Sequence, residues 1–301
     1  MRAFAGSLSM PRSTQLRGVG AMLLAVLLFS LMDAGLKLLV AHYPALQVAA
    51  LRAIVSLPLV CAYVAWRGAA KSLFKVRWSL HLLRGGLGIA MLALFAYGLR
   101  LLPLAEAYSI FFIAPLAITV LSVPMLGERV GAGRWWAIVV GLIGVLVVLR
   151  PTGEGLLSLA GLAVLAAAFC YAVSAITVRI VARSDSSESQ VFWLMVFVAI
   201  GASALALPQW APVRQSDAWV LAGVAITGFT GQLAITEAFR LGEASAIAPF
   251  EYSALAWGLL IDWLLWRTLP DAWMLVGAGV IVASGVYLVR HERVHAESEH
   301  P

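Results

Sequence analysis

Glu251 stands two residues beyond Pro249 in a long apolar run, with Tyr252 beside it. Proline removes a backbone donor and frees a carbonyl, so the helix is expected to distort there. A carboxylate at such a break is suited to hold a proton or a cationic group. Asp262 follows eleven residues later, three helical turns on, which predicts one shared face with Gly258 between them or, since it is nearer the outer boundary, an interfacial acid. Asp33 and Lys37 fall midway along the first apolar run at i, i+4 spacing, where opposite charges neutralise one another. That pair reads either as self-satisfied and structural or as a cavity-facing site for a zwitterion. Arg52, in the second run, either complements Asp33 or snorkels to the outer surface. Gln232 is a further polar candidate, and Glu237 with Arg240 at i+3 reads as a gate or a snorkelling ion pair. Tyr108 and Ser109 precede Pro115, and Tyr97 and Tyr171 are candidate aromatic walls. Most tryptophans fall near run ends, as an interfacial belt does, which leaves Trp257, with Trp263 or Trp193, as cavity aromatics.

Each of these groups needs a reason to be where it is, because an ionisable side chain within a membrane-spanning helix costs ~2.5–3.5 kcal/mol on insertion scales. The membrane is implied by composition: of 301 residues 62% are apolar and 12% charged, with a mean hydropathy of +0.94. So few charges cannot cover a soluble domain of this size. Ten apolar runs are visible, at 19–40, 46–66, 80–99, 104–126, 135–149, 156–178, 190–208, 218–239, 245–266 and 272–289. Most approach the ~20 residues that cross a ~30 Å hydrocarbon core, and the fifth is short. The fold class is therefore an all-α membrane protein. Residues 1–18 read as a polar N-terminal segment, with the first run retained as a helix and not removed as a signal. With both termini in the cytoplasm, the inner segments hold 14 of the 21 lysines and arginines and the outer loops four, with Lys37, Arg52 and Arg84 inside spans. That is a strong positive-inside bias, and it accounts for the net charge of +6 without a nucleic-acid partner. Cys61 and Cys170 lie in apolar runs and read as buried thiols, not a disulfide.

A shift of 140 residues lays Arg100-Leu101 on Arg240-Leu241, Val140 on Val280 and Arg150 on Arg290. The run boundaries superpose as well, 104–126 on 245–266 and 135–149 on 272–289. Five helices per repeat is an odd number, so the second copy enters the membrane from the opposite side. The expectation is ten transmembrane helices in two inverted five-helix repeats, with alternating access around a central site. The boundaries are 1–18 for the N-terminal segment, 19–150 and 151–290 for the repeats, and 291–301 for a polar, disordered tail.

The sequence resembles the EamA-type branch of the drug/metabolite transporter superfamily. Leu102-Pro103-Leu104-Ala105-Glu106-Ala107, Ile113-Ala114-Pro115-Leu116 and Leu126-Gly127-Glu128-Arg129 carry the resemblance in the first half. Ala246-Ile247-Ala248-Pro249-Phe250-Glu251-Tyr252 and Pro270-Asp271 carry it in the second. It covers roughly residues 18–290 and departs where many relatives have a second Gly-Glu pair, since Arg267-Thr268 stands there instead. The resemblance implies a basket of helices around a central cavity, with the fifth and tenth peripheral, and transport of a small solute.

No GxxxxGK[ST] phosphate loop occurs and the five histidines are scattered, so neither a nucleotide, a cofactor nor a metal is implied. Glu128 and Arg129 in a short cytoplasmic turn suggest a topological role. Gly141, Gly144, Gly277, Gly279 and Gly285 suggest close helix packing. The resulting expectation is an inner-membrane secondary transporter, and not an enzyme. It would export a small polar metabolite, an amino acid or an amino-acid-derived compound such as a nicotianamine-like metallophore. A passive facilitator and a lipid-carrier flippase are the alternatives. The partners are the solute and membrane lipid, and a homodimer is compatible with the sequence. Glu251 is the preferred site, with Tyr252, Asp33, Lys37, Arg52, Tyr108, Gln232 and Trp257 around it.

Overall fold

The computed structural model describes residues 12–99, 101–102, 104–151, 157–267 and 269–298. The first eleven residues of the N-terminal segment and the last three of the tail lie outside the described residues, as do Arg100, Pro103, residues 152–156 and Thr268. Among the described residues twelve α-helices make ten crossings: α1 (Arg12–Leu39), α2 (Ala45–Trp66), α3 (Trp78–Leu99), α4 (Leu104–Phe111), α5 (Ala114–Leu126), α6 (Ala132–Leu149), α7 (Leu159–Val181), α8 (Ser187–Ala206), α9 (Ala218–Leu241), α10 (Ala244–Ile247), α11 (Ser253–Trp266) and α12 (Ala272–Ser298). No strand occurs among the described residues, and ten segments are long and apolar enough to span a membrane. The α1 helix begins seven residues before the apolar run at 19, because its first turns are polar but still helical. At the other end, α12 continues to Ser298 through sequence expected to be disordered.

Two crossings are broken, both at proline. Pro115 lies in the first turn of α5 and Pro249 in a 3₁₀ segment, Ala248–Tyr252, between α10 and α11. A ring in place of the N–H cannot close the i−4 bond, so each chain restarts its helix there. The tripeptide Ile113-Ala114-Pro115 recurs as Ile247-Ala248-Pro249, an offset of 134 and not 140. The difference of 6 lies in the approach to the proline, 11 residues on from Leu104 at the start of α4 and 5 residues on from Ala244 at the start of α10.

The two halves interleave. The α1 helix packs along α9 and its repeat counterpart α7 along α3, while α2 packs on α8 and α6 on α12. Close approach of α6 to α12 depends on two glycines. A Cβ on Gly144 would sit 2.9 Å from the Gly277 carbonyl oxygen, and one on Gly277 2.7 Å from that of Gly144. Gly141 likewise makes room for the Tyr252 ring, but Gly279 has open space and a Cβ on Gly285 would meet the Phe250 ring only at an ordinary 3.7 Å, so three of the five expected packing glycines are required by close approach. Cys61 and Cys170 are free thiols as expected, yet Cys61 is exposed and Cys170 half-buried, because apolar runs in lipid have an outward face.

One face of the bundle carries the start of α1 and the end of α12 and is called the terminal face; the other is the far face. The inverted repeat predicts equal packing at both, and the packing is unequal. Near the terminal face α5 packs on α10 and on the 3₁₀ segment, and α7 packs on α9. Their counterparts toward the far face, α11 with α4 and α1 with α3, make no comparable contact among the described residues.

Candidate functional site

That inequality leaves a cavity of about 350 Å³ in the middle of the bundle. Its walls come from α1–α5, α7–α9 and the broken crossing at Glu251, with none from α6 or α12. It opens toward the far face. Asp33 and Tyr108, near the far ends of α1 and α4, remain exposed, whereas Arg84 and Phe239 at the terminal-side end are 2% and 1% exposed.

Five of the eight expected site residues line this cavity: Glu251, Asp33, Arg52, Tyr108 and Gln232. Glu251 projects from the 3₁₀ segment that Pro249 creates, and its Oε1 accepts a 2.9 Å hydrogen bond from the Tyr171 hydroxyl on α7. No cation lies within ion-pair distance of it among the described residues. Gln232, 8% exposed on α9, also lines the cavity. Farther out, the Arg52 guanidinium stands 5.5 Å from the Phe29 ring, close enough to Asp33 for its charge to act there but without a direct ion pair. One wall is aromatic: of its lining rings Phe111 meets Tyr171 at 5.9 Å, and Phe95, outside the lining, meets Tyr108 and Phe111 at 5.6 and 5.1 Å.

The other three expected residues lie elsewhere. Lys37 does not pair with Asp33. Its Nζ is 2.8 Å from Asp262 Oδ1 and 4.2 Å from the Trp266 ring, outside the cavity. Asp262 therefore does not share a face with Glu251, because the 3₁₀ segment breaks the helical phase on which the eleven-residue count relied. Tyr252 is fully buried against α6, beside Phe112, and Trp257 packs on the main core cluster. Tyr97 is exposed outside the lining, and Trp193 packs edge-on against Trp78 while donating to the Leu73 carbonyl. Glu237 and Arg240 do pair, at 2.8 Å, and the Ser187 hydroxyl also donates to Glu237.

Two arrangements were not anticipated. Arg84 lines the cavity, and its Nη1 donates to Gln190 Oε1 at 3.1 Å. Its position inside an apolar run was the available signal. Below the cavity, Glu128 joins the halves. Its Oε1 accepts from the Ala244 N–H at 2.8 Å, and its Oε2 accepts from the Ser245 N–H at 3.0 Å and the Ser245 hydroxyl at 2.7 Å. Arg179 stands 3.6 Å from the same carboxylate, and Arg134 pairs with Glu243 at 2.5 Å. The turn after α5 is thus fastened to the start of α10 by a buried carboxylate.

Residues 16–150 and 158–290 each match the EamA-like transporter family. The chain belongs to that family. Together with the ten spanning helices, this makes it a multi-pass membrane transporter with two repeats of one ancestral unit. Among its relatives is a riboflavin transporter of Vibrio cholerae serotype O1, 28% identical over 293 residues, covering 94% of this chain and 96% of that protein. The pseudopaline exporter CntI of Pseudomonas aeruginosa is 27% identical over 282 residues, covering 92% and 97%. An S-adenosylmethionine uptake transporter of Rickettsia conorii is 28% identical over 290 residues, covering 95% and 97%. A crystal structure 22% identical superposes with a TM-score of 0.79 over 93% of this chain and 99% of that one, which supports the fold. Members of the EamA-like family thus carry different small metabolites, in both directions, on one architecture.

Proposed function

We propose that this chain exports an amino-acid-derived metabolite across the inner membrane by alternating access, with Glu251 as the coupling carboxylate. The observation that carries the reading is the cavity itself, which offers both signs of charge, from Asp33, Arg52 and Glu251, to a solute of metabolite size. An ionised carboxylate at Glu251 has one hydrogen-bond donor, Tyr171, in an apolar setting. A proton or the cationic part of a solute is the natural second partner, and exchange between the two couples their movements. The positive-inside bias supports a cytoplasmic terminal face, and on that reading the far-side opening is an outward-open, inward-closed state. The pseudopaline exporter among the relatives supports export.

Metabolite profiling of medium and cells tests this in a strain lacking the gene, the restored strain, and one restored with Glu251→Gln. Export with Glu251 essential is expected to trap one solute inside the first and third strains. Solute left in the medium when the gene is absent reverses the direction, and equal behaviour of the two restored strains removes Glu251 from the mechanism. A second reading, uptake of a flat aromatic metabolite, is favoured by the aromatic wall and by the riboflavin transporter among the relatives.

A further inference from the structure

Arg84 lies six residues inside the start of α3, about 9 Å along the helix from Trp78. Its side chain is 2% exposed, and a guanidinium keeps its charge under any physiological condition. Of five donors, one is used among the described residues, by Gln190 Oε1. Its Nε has no partner, and neither has Gln190 Nε2 beside it. No carboxylate lies within ion-pair distance of Arg84 among the described residues. The acid on the neighbouring loop, Asp185, is committed: its Oδ2 accepts from the Arg77 N–H at 3.0 Å and contacts His81 Nε2 at 2.8 Å. A buried cation left this way is expensive unless a partner arrives. An arginine with a purely structural role would spend its fork on carbonyls or an acid.

Its position shows where the partner comes from. Arg84, Leu87, Gly88 and Met91 form one stripe of α3, and all four line the cavity. We infer that Arg84 is the anchor for a carboxylate of the transported solute, held at the floor of the cavity. This rests on the transporter reading above and adds the chemical class and placement of the solute. The planar fork suits a carboxylate's two oxygens, and the Gln190 amide, orienting the fork, supplies a neighbouring donor. Asp33 lies six residues from the other end of its helix, also about 9 Å in, so the levels of Arg84 and Asp33 differ by on the order of 10 Å in a ~30 Å core. A free amino acid cannot reach both. The solute is therefore an extended metabolite, with its carboxylate at Arg84 and its cationic or ring portion beside Asp33 and Phe29.

The test uses purified full-length protein in nanodiscs and two probes of one shape, N-acetyl-L-phenylalanine and its uncharged carboxamide. Binding is read by thermal shift and tryptophan fluorescence. The carboxylate is expected to bind the wild type and the carboxamide not. Arg84→Gln is expected to weaken carboxylate binding by about 10- to 100-fold, and Arg84→Lys by less, since the charge remains but the fork is lost. Carboxylate binding that is absent in the wild type, or equal in all three proteins, overturns the inference. Should Arg84→Gln fail to fold, Arg84→Lys decides it, equality with the wild type again being the refuting result. Chloride or sulfate that competes as well as the carboxylate, in an Arg84-dependent way, assigns the site to an inorganic anion and overturns the carboxylate. Failure of the transporter reading would show separately, as identical metabolite profiles with and without the gene.

Discussion

Replacing Glu128 by Gln is expected to open the cavity toward the terminal face. The carboxylate accepts three hydrogen bonds from the start of α10, at 2.8, 3.0 and 2.7 Å, and its side chain is 5% exposed. Hydrogen bonds to a charged group contribute ~1.5–3 kcal/mol each. The amide keeps one acceptor oxygen and turns the other position into a donor facing a donor, so roughly half of that contribution is lost. A loss of about 2–4 kcal/mol from the closed state raises the terminal-open population by about 30- to 700-fold. Ser174 lines the cavity from α7, so a Ser174→Cys reporter in a protein with Cys61 and Cys170 replaced reads accessibility directly. Labelling by an impermeant maleimide applied from the terminal face is expected to rise at least about tenfold with Glu128→Gln. Unchanged labelling in a protein that melts normally would refute the assignment of closure to this carboxylate.

Lys37→Met should change stability by less than ~1 kcal/mol and leave the transport KM within about twofold, because the ion pair with Asp262 is half-exposed and outside the cavity; a transport assay with melting curves checks both. Gly144→Ala drives a methyl to 2.9 Å from the Gly277 carbonyl oxygen and should cost about 1–3 kcal/mol in detergent melting. Gly279→Ala, with open space around it, should be neutral or slightly stabilising. The Asp271 carboxyl is held below the usual carboxylate range, first by the Met274 N–H and then by Arg150. Its contribution is therefore present above the unfolded value of about 3.9 and lost as pH falls through the lower folded value. The melting temperature of the wild type should drop more steeply below about pH 4 than that of Asp271→Asn.

The crossings were legible because lipid demands long apolar helices, and the break at Glu251 because Pro249 cannot complete a helical turn. The break at Pro115 is the same chemistry, in a run that reads as continuous. What the sequence hid were pairings set by tertiary proximity. Lys37 has an acid at the favourable i−4 position and pairs instead with Asp262, 225 residues away. Arg84 and Gln190 are 106 residues apart, and no local spacing joins them. Tyr252, adjacent to Glu251 in sequence, points into α6 because residues in a 3₁₀ turn diverge by about 120°. Glu128 was visible as an acid in a short turn, but its partners lie 116 and 117 residues on.

The carboxylate that fastens the terminal face and the side chains that line the cavity have no residue in common. If the cavity lining recognises the solute as proposed, altering Asp33, Arg52, Arg84 or Gln232 would change the solute without disturbing the fastening, and the fastening could be tuned without altering recognition. Such separability lets a lineage change its cargo in small substitutional steps while the moving parts are inherited intact. The divergent solutes named for relatives only 27–28% identical to this chain are the pattern such inheritance would leave.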